Sequence, residues 1–480
     1  MGSRPLGAGL RLHRMIKSPL SHLGHARAVA LLGLPLIGGH LAQFAIGLTD
    51  TVMMGWYGVP ELAALTISGS FFFTLFLFGS GFSGAILPMV AGYAAQGDWV
   101  LVRRATRMAL WLSLAYALLT LPVFWYSGAI LRAMGQAETI ADNAQTYLRI
   151  AGWGMLPALW VTCLKSYLAG LEHSRVVLWI TVAAAIANAA INHALIFGNW
   201  GAPELGIAGA AFASVLSVSV SLGLVIVYAL RVLPEHRLFE RFWRGDGEMI
   251  ARVFALGWPI GLTTLAEVTL FAASSVLMGW LGEVTLAAHG VALQIATATF
   301  MVQLGLANAA TVRAGTAFGR GDAAHLERGA QVVTVLSLGA TLVSVGLILA
   351  MPVSLISVFV APDDPAREAI IATGTGLLLL AALFQLFDAM QVIHLGILRG
   401  LQDTGVPMVM AGLSYWGVGL PVAAGLGFGL GLGGSGVWLG LVLGLAAASG
   451  LLAWRFWWRI LPAVKAGQNA RPTHGAAGAG

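Results

Sequence analysis

Apolar runs of membrane-crossing length follow one another along almost the whole chain. A transmembrane helix needs roughly 20 mostly apolar residues. Cutting the sequence at its charges leaves such windows at 28–60, 62–97, 108–131, 176–203, 205–230, 253–282, 284–312, 329–362 and 369–398. A further span near 143–168 has to include Arg149, and the window 404–454 has room for two helices around the glycine-rich stretch GLGFGLGLGGSG. Twelve helical spans are predicted, with the pattern setting the ends of spans 4, 11 and 12 least sharply.

Composition agrees with this pattern and adds a direction. Of 480 residues 58% are hydrophobic and 10% charged, with a mean hydropathy of +0.84, against about 25% charged residues in soluble domains. Short loops rich in Lys and Arg stay cytoplasmic. With both termini inside, 23 of the 26 basic residues fall in inner segments, and only Arg132, Arg149 and Arg367 fall outside. A shift of one helix anywhere would destroy that asymmetry. The expectation is a multi-pass protein of the plasma (inner) membrane, all-α, with both termini cytoplasmic. The same bias accounts for the net charge of +6, so no nucleic-acid partner is called for. The basic start of the chain is followed by a full-length apolar helix without a small-residue cleavage site, and reads as a cytoplasmic tail. Cys163 is the only cysteine, which excludes disulfides and thiolate metal clusters.

Sliding the sequence along itself gives one strong register, an offset of 224 that links 33–104 with 257–328 without a gap and with 18 identities. The pairs include Gly33/Gly257, Pro35/Pro259, Met54/Met278, Trp56/Trp280, Gly58/Gly282, Gly81/Gly305, Gly97/Gly321, Asp98/Asp322 and Arg104/Arg328. The shared MGW-x-G and GD are not compositional filler. Two six-helix halves follow: a tail at 1–29, an N-lobe at 30–231 (spans 1–6), a linker at 232–252, a C-lobe at 253–460 (spans 7–12) and a disordered cytoplasmic tail at 461–480. Six is even, so both halves enter the membrane in the same direction. Parallel repeats of this kind are a standard carrier design, with the substrate between the halves and access alternating by their rocking.

Sorting the acids by this topology leaves three inside spans: Asp50, Glu267 and Asp388. A carboxylate in hydrocarbon costs several kcal/mol and normally serves an ion or proton path. In the repeat register Asp50 corresponds to Ser274, and Glu267 to Gln43. The two positions are seven residues apart, two helical turns on one face, so the lobes place their acid at different heights. Span 5 carries Asn188 and Asn192 at i, i+4, whose carboxamide oxygens could coordinate Na⁺ or bond Asp50, or else serve as packing glue between helices. Span 10 carries Gln385, Asp388 and Gln391 at i, i+3. With Glu267 these make an acidic pair suited to proton or cation exchange, or a protonated pair that holds helices together.

Other chemistry is sparse. The aromatic run SFFFTLFLF at 70–78 and VMMGW at 52–56 could line a pocket for flat lipophilic cations, but such side chains more often pack or face lipid. His40 and His289 read as hydrogen-bonded structural groups. No GxxxxGK[ST], HExxH or Cys/His cluster is present, so neither an ATP-driven pump nor a metalloprotease is encoded, and no cofactor is expected. No Lys or Arg falls deep in a predicted span, which argues for cationic cargo.

At this point the chain resembles the MATE (multidrug and toxic compound extrusion) transporters, of the NorM-like group. The matching stretches are LPLIGGHLAQFAIGLTDTVMMGWYG, NHALIFGNWGAPELGIAGAAFAS, GWPIGLTTLAEVTLFAASSVLMGWLG, LAAHGVALQ, ATVRAGTAFGRGD and FQLFDAMQVIHLGILRGLQDTGVPM, across residues 30 to 460. The resemblance implies a V-shaped twelve-helix fold exporting organic cations and hydrophobic drugs in exchange for Na⁺ or H⁺. It implies an N-lobe cation site at Asp50, Asn188 and Asn192, with Gln43 on the same face, and a C-lobe site at Glu267 and Asp388 flanked by Gln385 and Gln391. Na⁺ ligands would come from Glu267, Asp388, Asp50 and Asn188. The partners implied are small lipophilic or cationic substrates and membrane lipids, with the chain a monomer. One departure is that some family members have an aspartate at the position of Asn192, which puts a two-carboxylate relay in the N-lobe in doubt. A lipid or lipid-linked oligosaccharide flippase of the same superfamily is the alternative, and a positively charged central cavity would favour it.

Overall fold

The computed structural model describes residues 21–362 and 364–469, and the described residues form helices and turns without strands. The N-lobe contains α1 (His22–Tyr57), α2 (Val59–Gln96), α3 (Trp99–Trp125), the short α4 (Ser127–Ala133), α5 (Glu138–Ala151), α6 (Met155–Gly170), α7 (Ser174–Phe197) and α8 (Gly206–Val232). The C-lobe contains α9 (Gly247–Trp280), α10 (Glu283–Arg320), α11 (Ala323–Ala350), the short α12 (Pro352–Ser357) and α13 (Arg367–Gly400). An interrupted helix follows from α14 (Gly405–Gly412) through α15 (Leu420–Ala424) to Gly429, and the lobe ends with α16 (Gly433–Trp454) and α17 (Leu461–Asn469). Among the described residues, eleven helices are long and apolar enough to cross a bilayer.

The twelfth crossing is the predicted span 4, and it is a composite. α5 and α6 are joined by a 3₁₀ turn at Gly152–Gly154, a sequence, GWG, whose glycines lower helix propensity. Span 11 is likewise interrupted by π-helical turns at Leu413–Gly419 and Gly425–Gly429, the second of them inside the glycine-rich stretch that left its limits open. These are the places where π-turns and glycine disturb the regular ladder.

Three of the sequence boundaries need correction. The first crossing starts at His22 rather than after residue 29, and α9 starts at Gly247, inside the stretch read as linker. In both cases a side-chain cap, Ser21 Oγ to the Gly24 N–H and Asp246 Oδ1 to the Met249 N–H, lets the helix begin among polar residues. The stretch 461–469, read as disordered, is helix α17. Leu461 is buried, and Lys465 pairs with Glu327 of α11 at 2.8 Å, anchors that a composition-based reading does not register. The rest of that tail, and residues 1–20 of the N-terminal tail, lie outside the described residues.

The repeat explains itself in the turns. Gly97 and Gly321 end α2 and α10 in left-handed backbone, at φ 76° and 66°, where a side chain would be strained. Asp98 and Asp322 then cap the next helix, each accepting a backbone N–H at 2.9 Å, from Leu101 and His325. A second equivalence appears only in three dimensions. The turns after α6 and α13, Gly-Leu-Glu172 and Gly-Leu-Gln402, both hold their third residue at positive φ, 64° and 60°.

The lobes meet through α1 and α2 on one side and α9 and α10 on the other. Gly81 of α2 is pressed against α9, where an added Cβ would lie 2.5 Å from the Gly261 nitrogen. Its repeat partner Gly305 of α10 is pressed against α1 in the same way, 2.5 Å from Ile37 Cγ1. Both crossings lie in the halves of these helices that face the basic loops, an end called here the basic end. Toward the opposite end, the bridge from Asn308 Nδ2 to His40 Nε2 (2.9 Å) is the last inter-lobe hydrogen bond among the described residues. Beyond it Gly47, Gly69 and Gly290 have no atom within 4 Å of an added Cβ. The lobes thus close on each other at the basic end and part above it.

The linker is held down rather than loose. Arg107 of α3 donates to the carbonyls of Leu238 (2.6 Å) and Arg237 (2.8 Å), and Trp111 to that of Phe242 (2.9 Å). His236 is enclosed by Trp99 and Tyr167, with the Tyr167 hydroxyl 2.5 Å from its Nδ1, and burial holds its pKa below the usual histidine value.

Candidate functional site

In the N-lobe, α1 and α7 bring Asp50, Asn188 and Asn192 together as their spacing predicts. Asn192 Nδ2 donates to Asp50 Oδ1 at 2.5 Å and to Asn188 Oδ1 at 3.1 Å. Asn188 in turn donates to Ser217 Oγ of α8 at 3.4 Å. Both asparagines are fully buried, while Asp50 is half-buried, so the carboxylate is the part of the cluster that can be reached from the cleft. The i, i+4 spacing on α7 is what lets one carboxamide serve as donor to the acid and to its own neighbour. Tyr147 of α5, buried, stands beside Asp50.

Gln43 does not join this cluster. Two turns from Asp50 it is exposed and has no hydrogen bond to the cluster among the described residues. Ser217 and Tyr147 are the members that sequence reasoning missed. Hydroxyls are frequent in apolar helices and carry no spacing signal of their own.

In the C-lobe, α9 and α13 bring Glu267, Asp388 and Gln391 together. Gln391 Nε2 donates to Glu267 Oε1 at 3.1 Å, and Asp388 is close enough to Glu267 for the two charges to oppose each other. Glu267 is half-buried, whereas Gln385, Asp388 and Gln391 are 6%, 6% and 0% exposed. Gln385 Nε2, Asp388 Oδ1, Gln391 Oε1 and the hydroxyl of Tyr415 are all buried without a hydrogen-bond partner. Buried polar groups are ordinarily satisfied by protein or water, so this group has bonding capacity that the protein itself does not use. Its unpartnered carboxylate and carboxamide oxygens are the donor type that a hard cation takes. Arg399 and Tyr415 border the same acids.

The position equivalent to Asp50 in the C-lobe carries different chemistry. Ser274 and Ser275 lie 3.3 and 3.2 Å from His289 Nε2, and the imidazole packs edge-on to Trp438 at 5.7 Å. This is the structural role expected for His289. His40 is hydrogen-bonded as well, and its bond to Asn308 bridges the lobes.

No hydrogen bond or ion pair joins the two acidic clusters among the described residues, and no group of three or more His, Cys, Asp and Glu stands ready for a metal. The four residues named as Na⁺ ligands therefore divide into two pairs, Asp50 with Asn188 and Glu267 with Asp388. Lys165, Arg313 and Arg399 lie toward the basic ends of α6, α10 and α13, which close at Gly170, Arg320 and Gly400; Arg313 and Arg399 fall just past the apolar windows, whereas Lys165 falls inside the fourth, so none of the three sits deep in a span.

Comparison with known proteins finds the same twofold repeat. The MatE family model matches twice, over residues 35–193 and 259–424, and the two matches begin at equivalent positions of the 224-residue repeat. A probable multidrug resistance protein NorM of Rhizobium meliloti (strain 1021) is 45% identical over 448 residues, covering 93% of this chain and 96% of that protein. One of the same name from Agrobacterium fabrum is 42% identical, covering 91% and 94%. Among solved structures, a eukaryotic MATE transporter, AtDTX14, superposes with a TM-score of 0.82 at 16% identity, over 93% of this chain and 99% of that one. An outward-facing multidrug resistance MATE family transporter does so with 0.83 at 19% identity, over 92% and 97%. At such identities these structures speak to the fold.

Proposed function

The chain belongs to the MatE family, and from that premise we propose that it is a secondary active efflux carrier that exports organic cations and hydrophobic drugs in exchange for Na⁺ or H⁺. The observation that carries this reading is the pair of unlike carboxylate–carboxamide clusters, one in each lobe, beside a cleft shut at the basic end. With that end cytoplasmic, the structure is outward-open, and the half-buried Asp50 and Glu267 can take a cation from outside.

The chemistry follows from the two donor sets. The C-lobe takes the coupling ion, because Asp388 and Gln391 have buried oxygens still free to bind it. Loading neutralises the acidic pair, weakens the hold on a cationic drug and releases it. A ligand shifts a two-state equilibrium by its differential affinity for the states, so exchange needs only that ion and drug favour opposite openings. An anionic-lipid flippase has one observation in its favour, Lys165, whose charge reaches His40 at the inter-lobe bridge. Lys165 near His40 and Arg399 beside the C-lobe acids stand against three carboxylates.

The test is efflux of a fluorescent cation from proteoliposomes under separately imposed Na⁺ and pH gradients. Gradient-driven export is expected, and Asp388→Asn removes it. Full export by both Asp388→Asn and Asp50→Asn would overturn the assignment of these acids.

A further inference from the structure

At the basic end the two lobes touch through a pair of histidines that the carrier chemistry does not use. His25 of α1 and His325 of α11 pack with ring centroids 4.4 Å apart and planes at 56°. His25 is fully buried and neither of its ring nitrogens has a partner. Arg313 of α10 reaches His325, with Nη2 2.6 Å from Nε2. A guanidinium can only donate, so this Nε2 accepts and the His325 ring is neutral in the closed arrangement. Glu172, in the N-lobe turn after α6, lies 4.0 Å from Arg313 and extends the contact across the lobes.

The surroundings are poor in compensating charge. The groups that reach the two rings are His22 on α1 itself, Arg313 and Arg320 from α10, and Asp322 and Arg328 from α11. Asp322 is already engaged in capping α11 through the His325 N–H. Glu327 is paired with Lys465 of α17, and Glu172 is about half exposed. The adjoining cavity, lined by Arg313 and His325, measures only ≈ 10 Å³, about the least that can hold one water. A proton added to either ring therefore meets cations and little solvent. On Nε2 of His325 it also removes the acceptor that Arg313 uses.

The repeat supplies an internal control. The equivalent crossing, between α3 and α9, is an ion pair, Arg104 to Asp246 at 2.5 Å, with Glu248 at 3.6 Å. There, by the same 224-residue offset, the positions of His25, His325 and Arg313 are held by Met249, Leu101 and Met89. Only one of the two crossings is built from imidazoles, whose unperturbed charge change falls near neutral pH.

We propose that His25, His325 and Arg313 form a proton-operated latch. With neutral rings it holds the lobes together at the basic end, and protonation of either ring from that side parts them. Its use in transport rests on the carrier reading, where it would tie inward opening to the acidity of the compartment it faces. The latch itself does not depend on what is carried.

The test reads lobe separation directly. Spin labels go on Val100→Cys and Ala324→Cys, exposed and equivalent positions of the two lobes, in the full chain in lipid nanodiscs; Cys163 is buried and stays unlabelled. Double electron–electron resonance follows the distance between pH 8 and pH 5.5. The expected result is a rise of at least about threefold in the wider population on acidification. That rise is absent from His25→Phe/His325→Gln and retained by Asp50→Asn/Glu267→Gln/Asp388→Asn. A wild type without the rise, a histidine variant that keeps it, or a carboxylate variant that loses it would each overturn the latch. Should the double variant fail to fold, His25→Asn alone is expected to reduce the response by at least half, and an unchanged response overturns the proposal. Failure of the carrier reading would appear in the export assay and leave these distances unaffected.

Discussion

The two lobes share a backbone repeat and differ in how completely the buried polar groups of their acidic clusters are satisfied. In the N-lobe a chain of hydrogen bonds runs from Ser217 through Asn188 and Asn192 to Asp50, and only Asn192 Oδ1 lacks a partner. In the C-lobe one bond joins Gln391 to Glu267, and four buried polar atoms around Asp388 have none. A satisfied network rigidifies, whereas a partly satisfied one stays poised for a further ligand. A duplicated fold has thus been given one lobe that holds its acid and one that offers it.

The sharpest way to break this contrast is to neutralise each acid in turn. Asp388→Asn is expected to lower ion-driven export by at least about tenfold, the equivalent of ~1.4 kcal/mol of lost ion binding. Asp50→Asn is expected to cost about threefold, since the asparagines still bridge α1 and α7. Equal losses in the proteoliposome assay would erase the distinction between the lobes. His289→Leu removes a structural bond at the place where the N-lobe keeps Asp50. It is expected to lower stability by about 1 kcal/mol in thermal melts while leaving the ratio of Na⁺-driven to pH-driven export unchanged.

A smaller effect separates the two inter-lobe crossings. Arg104 holds the Asp246 carboxyl below its usual range. The stability from that pair is present above the unfolded value near 4 and is lost as pH falls through the lower folded value. Arg104→Ala is expected to cost less than about 1 kcal/mol and to leave melting unchanged between pH 5.5 and 8. A change of melting with pH across that window, traced to Asp246, would contradict it. Gln43→Ala, at the exposed counterpart of Glu267, is expected to stay within about 0.5 kcal/mol and to leave export intact.

The sequence discloses what repeats and what is out of place. The register 33–104 to 257–328 appears because Gly97–Asp98 and Gly321–Asp322 answer a strict backbone need, a left-handed turn followed by a cap. The three acids appear because charge in an apolar helix is conspicuous. Less legible is what depends on tertiary placement. Tyr415 and Ser217 are ordinary residues until another helix faces them. Arg149, which blurred the fourth span, donates to the Trp125 carbonyl at 3.0 Å and lies over the Trp125 ring, partners on another helix that its own span does not disclose. His25 and His325 are 300 positions apart in different lobes, and nothing in either neighbourhood announces the other.

The contact of Gly81 with Gly257 and Gly261 is backbone against backbone, with no side chains between to be rearranged when the lobes tilt. At 1.5 Å per residue, α2 extends ~33 Å from Gly81 to its outer end and ~22 Å to its basic end. The helix is therefore a lever with unequal arms. A rigid turn about this point moves the outer tips about half again as far as the inner ones, so an inner gap of a given width corresponds to a closing movement about one and a half times as wide on the outside.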